Sequence, residues 1–140
     1  MNEGLERFLK AQQNDYQTAL QEIRSGQKQS HWMWYIFPQI AGLGHSEIAQ
    51  YYAIRNLGEA KAYMEDTTLA NHLIEISQAL LDIESDNASE VMGWPDDLKL
   101  KSSMTLFALA KPECGVFQKV LDKFFGGKMD QKTVEILKEK

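Results

Sequence analysis

The chain has 140 residues, of which 44% are apolar and 25% charged, with a formal net charge of −5 and a single cysteine. This is the composition of one ordinary globular domain, large enough to fold without staples, and it excludes a disordered chain. The acidic balance excludes nonspecific wrapping of nucleic acid, Cys114 alone cannot form an internal disulfide, and the longest uncharged apolar run, Trp32 to Phe37, is far short of the ~20 residues that cross a bilayer.

The opening residues, Met1-Asn2-Glu3-Gly4-Leu5-Glu6-Arg7, carry acids where a secretory signal has a basic stretch, and no apolar core follows them. With the lone cysteine, this points to a soluble protein of the reducing cytoplasm. Charge is uneven along the chain: residues 1–97 hold 6 basic against 15 acidic side chains, whereas residues 98–140 hold 9 against 5. Few prolines, no Gly/Ser-rich linker and no repeat interrupt the sequence, so residues 1–140 read as one helical domain.

Taken in chain order, Leu5, Phe8, Leu9, Tyr16, Leu20 and Ile23 recur near the 3.6-residue period, and Gly26 stands where a left-handed residue ends a helix. Asn14 followed by Gln17 leaves open a break near Gln13. Ser30 can cap a short apolar helix from His31 to Phe37, which Pro38 terminates. Gln39 to His45, with Gly42 and Gly44, reads as a loop, and Ser46 caps the next helix. Helices are expected over Glu47 to Ile54, Glu59 to Glu65 and Thr68 to Glu84. The last of these carries the clearest stripe, Leu69, Leu73, Ile76 and Leu80 with Ile83, opposite Glu75, Gln78 and Asp82.

A short turn of helix from Ala88 to Met92 ends at Gly93. Trp94-Pro95-Asp96-Asp97 then opens a long helix through Leu98 to Ala110, closed by Pro112, with Asp96 and Asp97 suited to capping it and complementing its dipole. Val116, Phe117, Val120, Leu121, Phe124 and Phe125 form another stripe that stops at Gly126-Gly127, and Val134, Ile136 and Leu137 mark a last short helix. Strand-like alternation is weak throughout. The expectation is a compact all-α fold of about seven to eight helices, acting as a monomer.

Two stretches stand out chemically. The first, Ser30 to Gln39 with Gly42-Leu43-Gly44, gathers His31, Trp32, Trp34 and Gln39, large rings beside hydrogen-bonding tips, a mixture that suits stacking on a planar ligand or, equally, a core. Gly42 and Gly44 precede a helix start whose free N–H groups suit an anion, although neither dinucleotide-binding nor phosphate-loop spacing is present. The second, Asp96 to Phe107, sets Lys99 and Ser102 or Ser103 three and four positions apart on one helix face. That spacing also makes a Ser–Lys nucleophile pair conceivable, without any other mark of an activated serine. His31, His45 and His72 have no metal-ligand spacing, so no metal or cofactor is implied.

These two stretches, together with Leu5-Glu6-Arg7-Phe8 and Phe124-Phe125-Gly126-Gly127, resemble the family known as domain of unknown function 1810. The resemblance implies a single, mainly helical domain and supplies no catalytic residue. The name calpastatin, sometimes attached to that family, does not fit this chain: such calpain inhibitors are long disordered chains of repeated segments, whereas this composition is globular. A fainter likeness of spacing, over Lys99 to Phe107 with Leu121 and Gly126, points to helical domains that hydrolyse N-glycosidic bonds of ADP-ribose derivatives.

The functional expectation is a pocket for a small anionic or planar metabolite, such as a nucleotide derivative, formed by His31, Trp32, Trp34, Gln39, Gly42, Gly44, Lys99, Ser102 and Ser103. The alternatives are an N-glycosidase acting on ADP-ribose-type derivatives and a protein-interaction module with an exposed Trp patch. A further expectation follows from hydrophobic demand: His31 and Trp34 should lie in contact range of Lys99, Ser102 or Ser103, about 70 residues away.

Overall fold

The structure, a computed structural model, describes residues 3–139; Met1, Asn2 and Lys140 of the sequence reading lie outside the described residues. After a 3-10 turn at Glu3–Leu5, helix α1 (Glu6–Arg24) runs unbroken through Gln13. Its buried positions Phe8, Gln12, Tyr16, Ala19, Leu20 and Ile23 keep helical spacing across the polar Gln13 to Asp15 segment, which contains no glycine or proline to interrupt it. Gly26 takes φ 87° and ends the helix as expected.

Helix α2 is shorter than the sequence suggests, Met33–Ile36, and Ser30 does not cap it. The Ser30 hydroxyl instead donates to Glu22 of α1 at 2.5 Å, and the same carboxylate accepts the Gln29 and Ser30 amides at 2.8 and 2.9 Å and the Trp32 indole N–H at 2.9 Å. Burial pushes the Glu22 carboxyl up, but these donors outweigh it and bring it down from 4.5 to about 2. A folded-state value below the unfolded one contributes stability that is complete above pH 4.5 and lost as pH falls toward 2. Acid titration of Tm should therefore be steeper for the native chain than for Glu22→Gln, by about 1–2 kcal/mol over that window once solvent screening is allowed for. Parallel acid curves for the two proteins would refute the assignment.

Beyond Pro38 the chain extends, and Ile40 pairs in parallel with Ile54 through two 2.8 Å bonds, Ala41 N–H to the Ile54 carbonyl and Ile54 N–H to the Gln39 carbonyl. That pairing stops α3 (Glu47–Tyr52) before Ala53, earlier than its apolar pattern predicts. Ser46 caps α3 as expected, and two further short polar side chains cap the helices that follow, Asn56 before α4 (Leu57–Glu65) and Asp66 before α5 (Thr67–Asp82). Because Asn56 caps, α4 begins two residues ahead of the predicted Glu59 and takes Gly58 into its first turn. The far end of α5 is closed by Lys123, whose ammonium donates to the Leu80 carbonyl at 2.7 Å and also to those of Leu81 and Ile83.

The remaining helices are α6 (Ala88–Met92), α7 (Asp96–Ala110), α8 (Val116–Phe125) and α9 (Gln131–Glu139), with a 3-10 turn at Pro112–Cys114. Nine α-helices stand among the described residues, against the about seven to eight expected, the two shortest, α2 and α6, having four and five residues. The fold is all-α. Pro95, not an acid, occupies the N-cap of α7, leaving Asp96 and Asp97 in its first turn, where they still complement the helix dipole. Asp97 is buried and accepts a 2.6 Å bond from Ser89.

Helix α7 is the axis of the packing. From Leu100 to Ala110, excepting Lys101 and Leu109, every residue is buried, and the helix meets α4, α6, α8 and α9. A helix enclosed on nearly all sides needs apolar or small polar residues all round instead of one stripe, which is what Leu100, Ser102, Ser103, Met104, Thr105, Leu106, Phe107 and Ala108 provide. The core it organises also takes in α1, α2, α5 and α8.

Candidate functional site

Where α2, the extended Gln39-Ile40 segment, α3 and the first turns of α7 converge, they leave a cavity of about 390 Å³. Trp34 of α2 forms one wall, and the Leu43-Gly44-His45-Ser46 loop another. Ala49, Tyr52 and Ala53 close the α3 side, and Pro95, Leu98, Lys99 and Ser102 close the α7 side. The loop can approach α3 this closely because Gly44 lacks a side chain: a Cβ there would stand 2.6 Å from that of Ala49.

Lys99 is the only Lys, Arg, Asp or Glu among the described residues that line the cavity. Its ammonium lies over the Trp34 ring, 5.6 Å from the centroid, and 3.6 Å from an Asp96 carboxylate oxygen. The other Asp96 oxygen is held at 2.8 Å by Lys28, whose side chain is 6% exposed. Lys28 is itself fixed over the Trp32 ring at 4.9 Å, so the loop after α1 braces the start of α7. Ser102 is buried, its hydroxyl directed at the Leu98 carbonyl (3.2 Å) and at Asp130 before α9 (3.0 Å). Burial raises the Tyr52 phenol, with Tyr51 adding to that and Arg7 opposing it, so Tyr52 is a neutral hydroxyl at physiological pH.

Of the nine residues singled out from sequence, Trp34, Gln39, Gly44, Lys99 and Ser102 line this cavity. The other four do not. Trp32 is 1% exposed and belongs to the core, its indole N–H satisfied by Glu22. Ser103 is fully buried, its hydroxyl without a hydrogen-bond partner. His31 is exposed and takes part through its backbone carbonyl, which accepts from the Tyr35 hydroxyl at 3.3 Å. Gly42, at φ 107°, makes the turn of the loop and faces Ile136 of α9. The expected long-range meeting is therefore made by Trp34 with Lys99, while His31 is turned outward. A Ser–Lys pair is not assembled either, since Ser102 is engaged with Asp130 and Lys99 with Asp96.

Sequence reasoning missed Tyr52, Ala49 and Ala53 on the α3 side and Pro95 and Leu98 on the α7 side. An alanine and a tyrosine three apart carry no chemical signature, and only the i, i+3 spacing of Ala49 and Tyr52 marks a shared face.

The family model described as protein of unknown function (DUF1810) matches residues 2–137. The chain belongs to the DUF1810 family. Among solved structures, the conserved hypothetical protein Rv1873 from Mycobacterium tuberculosis, known from a crystal structure at 1.38 Å, is 42% identical. The match covers 96% of each chain with a TM-score of 0.93. No curated protein matches. Membership of DUF1810 carries the fold but no reaction, so the chemistry of the cleft must be read from its own residues. In this DUF1810 chain no described helix is long and apolar enough to cross a membrane, and no group of three or more described His, Cys, Asp or Glu side chains is arranged to hold a metal.

Proposed function

We propose that this DUF1810 domain, as a cytoplasmic monomer, binds a small anionic, planar metabolite, of the nucleotide-derivative class, in the cleft between α2, α3 and α7. The observation that carries this reading is the placement of an aromatic face and a cation, Trp34 and Lys99, on one concave cavity of about 390 Å³, with the Gln39 amide nearby for orientation. Hydrolysis of an N-glycosidic bond fits the cleft less well. Such a reaction develops positive charge on the sugar, and glycoside-cleaving sites set carboxylates against it. The lining holds none, and its one fixed charge is a cation.

The partner-binding reading rests on a different tryptophan from those first considered. Trp94 is 79% exposed just before α7, and Leu98, which also lines the cleft, is 54% exposed one turn on. One experiment separates the two. In a thermal-shift screen against nucleotides and related metabolites, a ligand at a hundred times its Kd should stabilise the native chain by about 2.7 kcal/mol, a rise of several degrees in Tm, and Trp34→Ala should abolish the rise. A folded protein that responds to nothing in such a screen would transfer the case to the Trp94 surface.

A further inference from the structure

The cleft has a built-in occupant. Lys99 lies over the Trp34 ring, where a planar ligand would stack, and its ammonium is paired with Asp96, where a ligand anion would compete. We propose that Lys99 makes the site selective for ligands that carry a ring and an anion together, by exchanging both of its internal contacts at once. The proposal rests on the reading of the cleft given above.

A neutral ring that stacks on Trp34 must displace the ammonium from the indole face, so it forfeits a cation–π contact and gains no charge partner. A bare anion can draw Lys99 away from Asp96 but leaves the aromatic wall of the cavity uncovered. A ring joined to an anion replaces both contacts: the ring covers Trp34 while the anion takes the ammonium. Asp96 tolerates this departure because its second oxygen stays bound to the buried Lys28 at 2.8 Å, so no carboxylate is stranded. Lys28 and Asp96 are therefore positioning residues, and Lys99 is the group that touches ligand.

The test uses AMP and adenosine, which share a ring and differ in the phosphate, titrated calorimetrically into the full-length native chain and into Lys99→Met, Asp96→Asn and Trp34→Ala. The native protein should bind AMP more tightly than adenosine. Lys99→Met should weaken AMP by roughly 10-fold or more, as expected for a lost charge-assisted contact, and should strengthen adenosine by about 2- to 5-fold, because the cation–π contact that a stacking ring must displace is gone. Asp96→Asn, which removes the internal competitor for the ammonium, should raise the ratio of AMP to adenosine affinity several-fold, a ratio in which any disturbance of the Lys28 brace common to both probes cancels. Trp34→Ala should lose both probes, which locates the heat in this cleft.

The opposite responses of the two probes to Lys99→Met are the decisive result. If the native chain binds AMP through Trp34 but Lys99→Met weakens both probes equally, or changes neither, the exchange is overturned while the ligand-binding reading stands. If the native chain binds neither probe, the nucleotide reading itself fails and the exchange with it.

Discussion

Phe107→Ala is expected to destabilise the protein by about 3–5 kcal/mol, enough to lower Tm by more than about 10 °C. Phe107 is fully buried in the last turn of α7, with its ring centroid 5.1 Å from that of Tyr63 on α4 and 5.9 Å from that of Phe117 on α8. Truncation removes the transfer free energy of the ring and both aromatic contacts. The void that remains is bordered by rings anchored on two other helices, and neither can move in without leaving its own neighbours, so the site collapses poorly. Phe107→Leu, which keeps most of the volume, should cost less than half as much. Denaturant melts of the three proteins would check this, and a loss under about 1 kcal/mol for the alanine variant would show that α7 is not the axis of the core.

The outline of the fold was legible because most helices announce themselves locally. Ser46, Asn56, Asp66 and Asn87 each accept a bond from the N–H three residues on, and Gly26 and Gly126 adopt the positive φ that ends a helix. These signals lie within one turn of the boundary they mark. The misplaced start of α2 has the opposite character: Ser30 is drawn off by Glu22, eight residues upstream, and only the folded chain brings that carboxylate within 2.5 Å of its hydroxyl. The closure of α5 by Lys123 is less local still, spanning about 40 residues.

The candidate site divides along the same line. That the Trp32 to Phe37 segment meets the start of α7 follows from hydrophobic demand, and Trp34 and Lys99 do meet. Which tryptophan faces the cavity could not follow, because the segment is apolar on every side and offers no polar face to orient it. Trp32 stands at the N-cap, just outside the helical turn, with its indole in the core and tied to Glu22, and Trp34 on α2 is the one that lines the cleft. Ser102 and Ser103 differ by roughly 100°, and here too one lines the cavity and the other is enclosed. Spacing within a motif says which residues are near one another. Orientation is set by what packs behind them.

Gln12→Leu should cost about 3–5 kcal/mol although it replaces one buried side chain by another of similar size. Gln12 is 2% exposed, and its amide ties four helices together. Its nitrogen donates to the Tyr35 carbonyl at 2.8 Å and to the Tyr63 hydroxyl at 2.9 Å, and its oxygen lies 2.8 Å from His72 Nδ1. With both amide hydrogens donated, the oxygen can only accept, so His72 carries its proton on Nδ1 in this network. Leucine fills the space but leaves the buried Tyr35 carbonyl and Tyr63 hydroxyl without this partner, and the half-buried His72 N–H without its acceptor; each buried group so stranded costs roughly 1–3 kcal/mol. The His72 ring cannot turn to find another acceptor, because it is stacked on Tyr16 with centroids 3.8 Å apart and planes 9° from parallel. Burial holds His72 below its ordinary 6.5, against the opposing pull of Glu75, so melts at pH 8 compare both proteins with this imidazole neutral. A leucine variant as stable as the native chain would mean that the amide is replaceable by shape alone, and that apolar packing, without this polar junction, joins α1 to α2, α4 and α5.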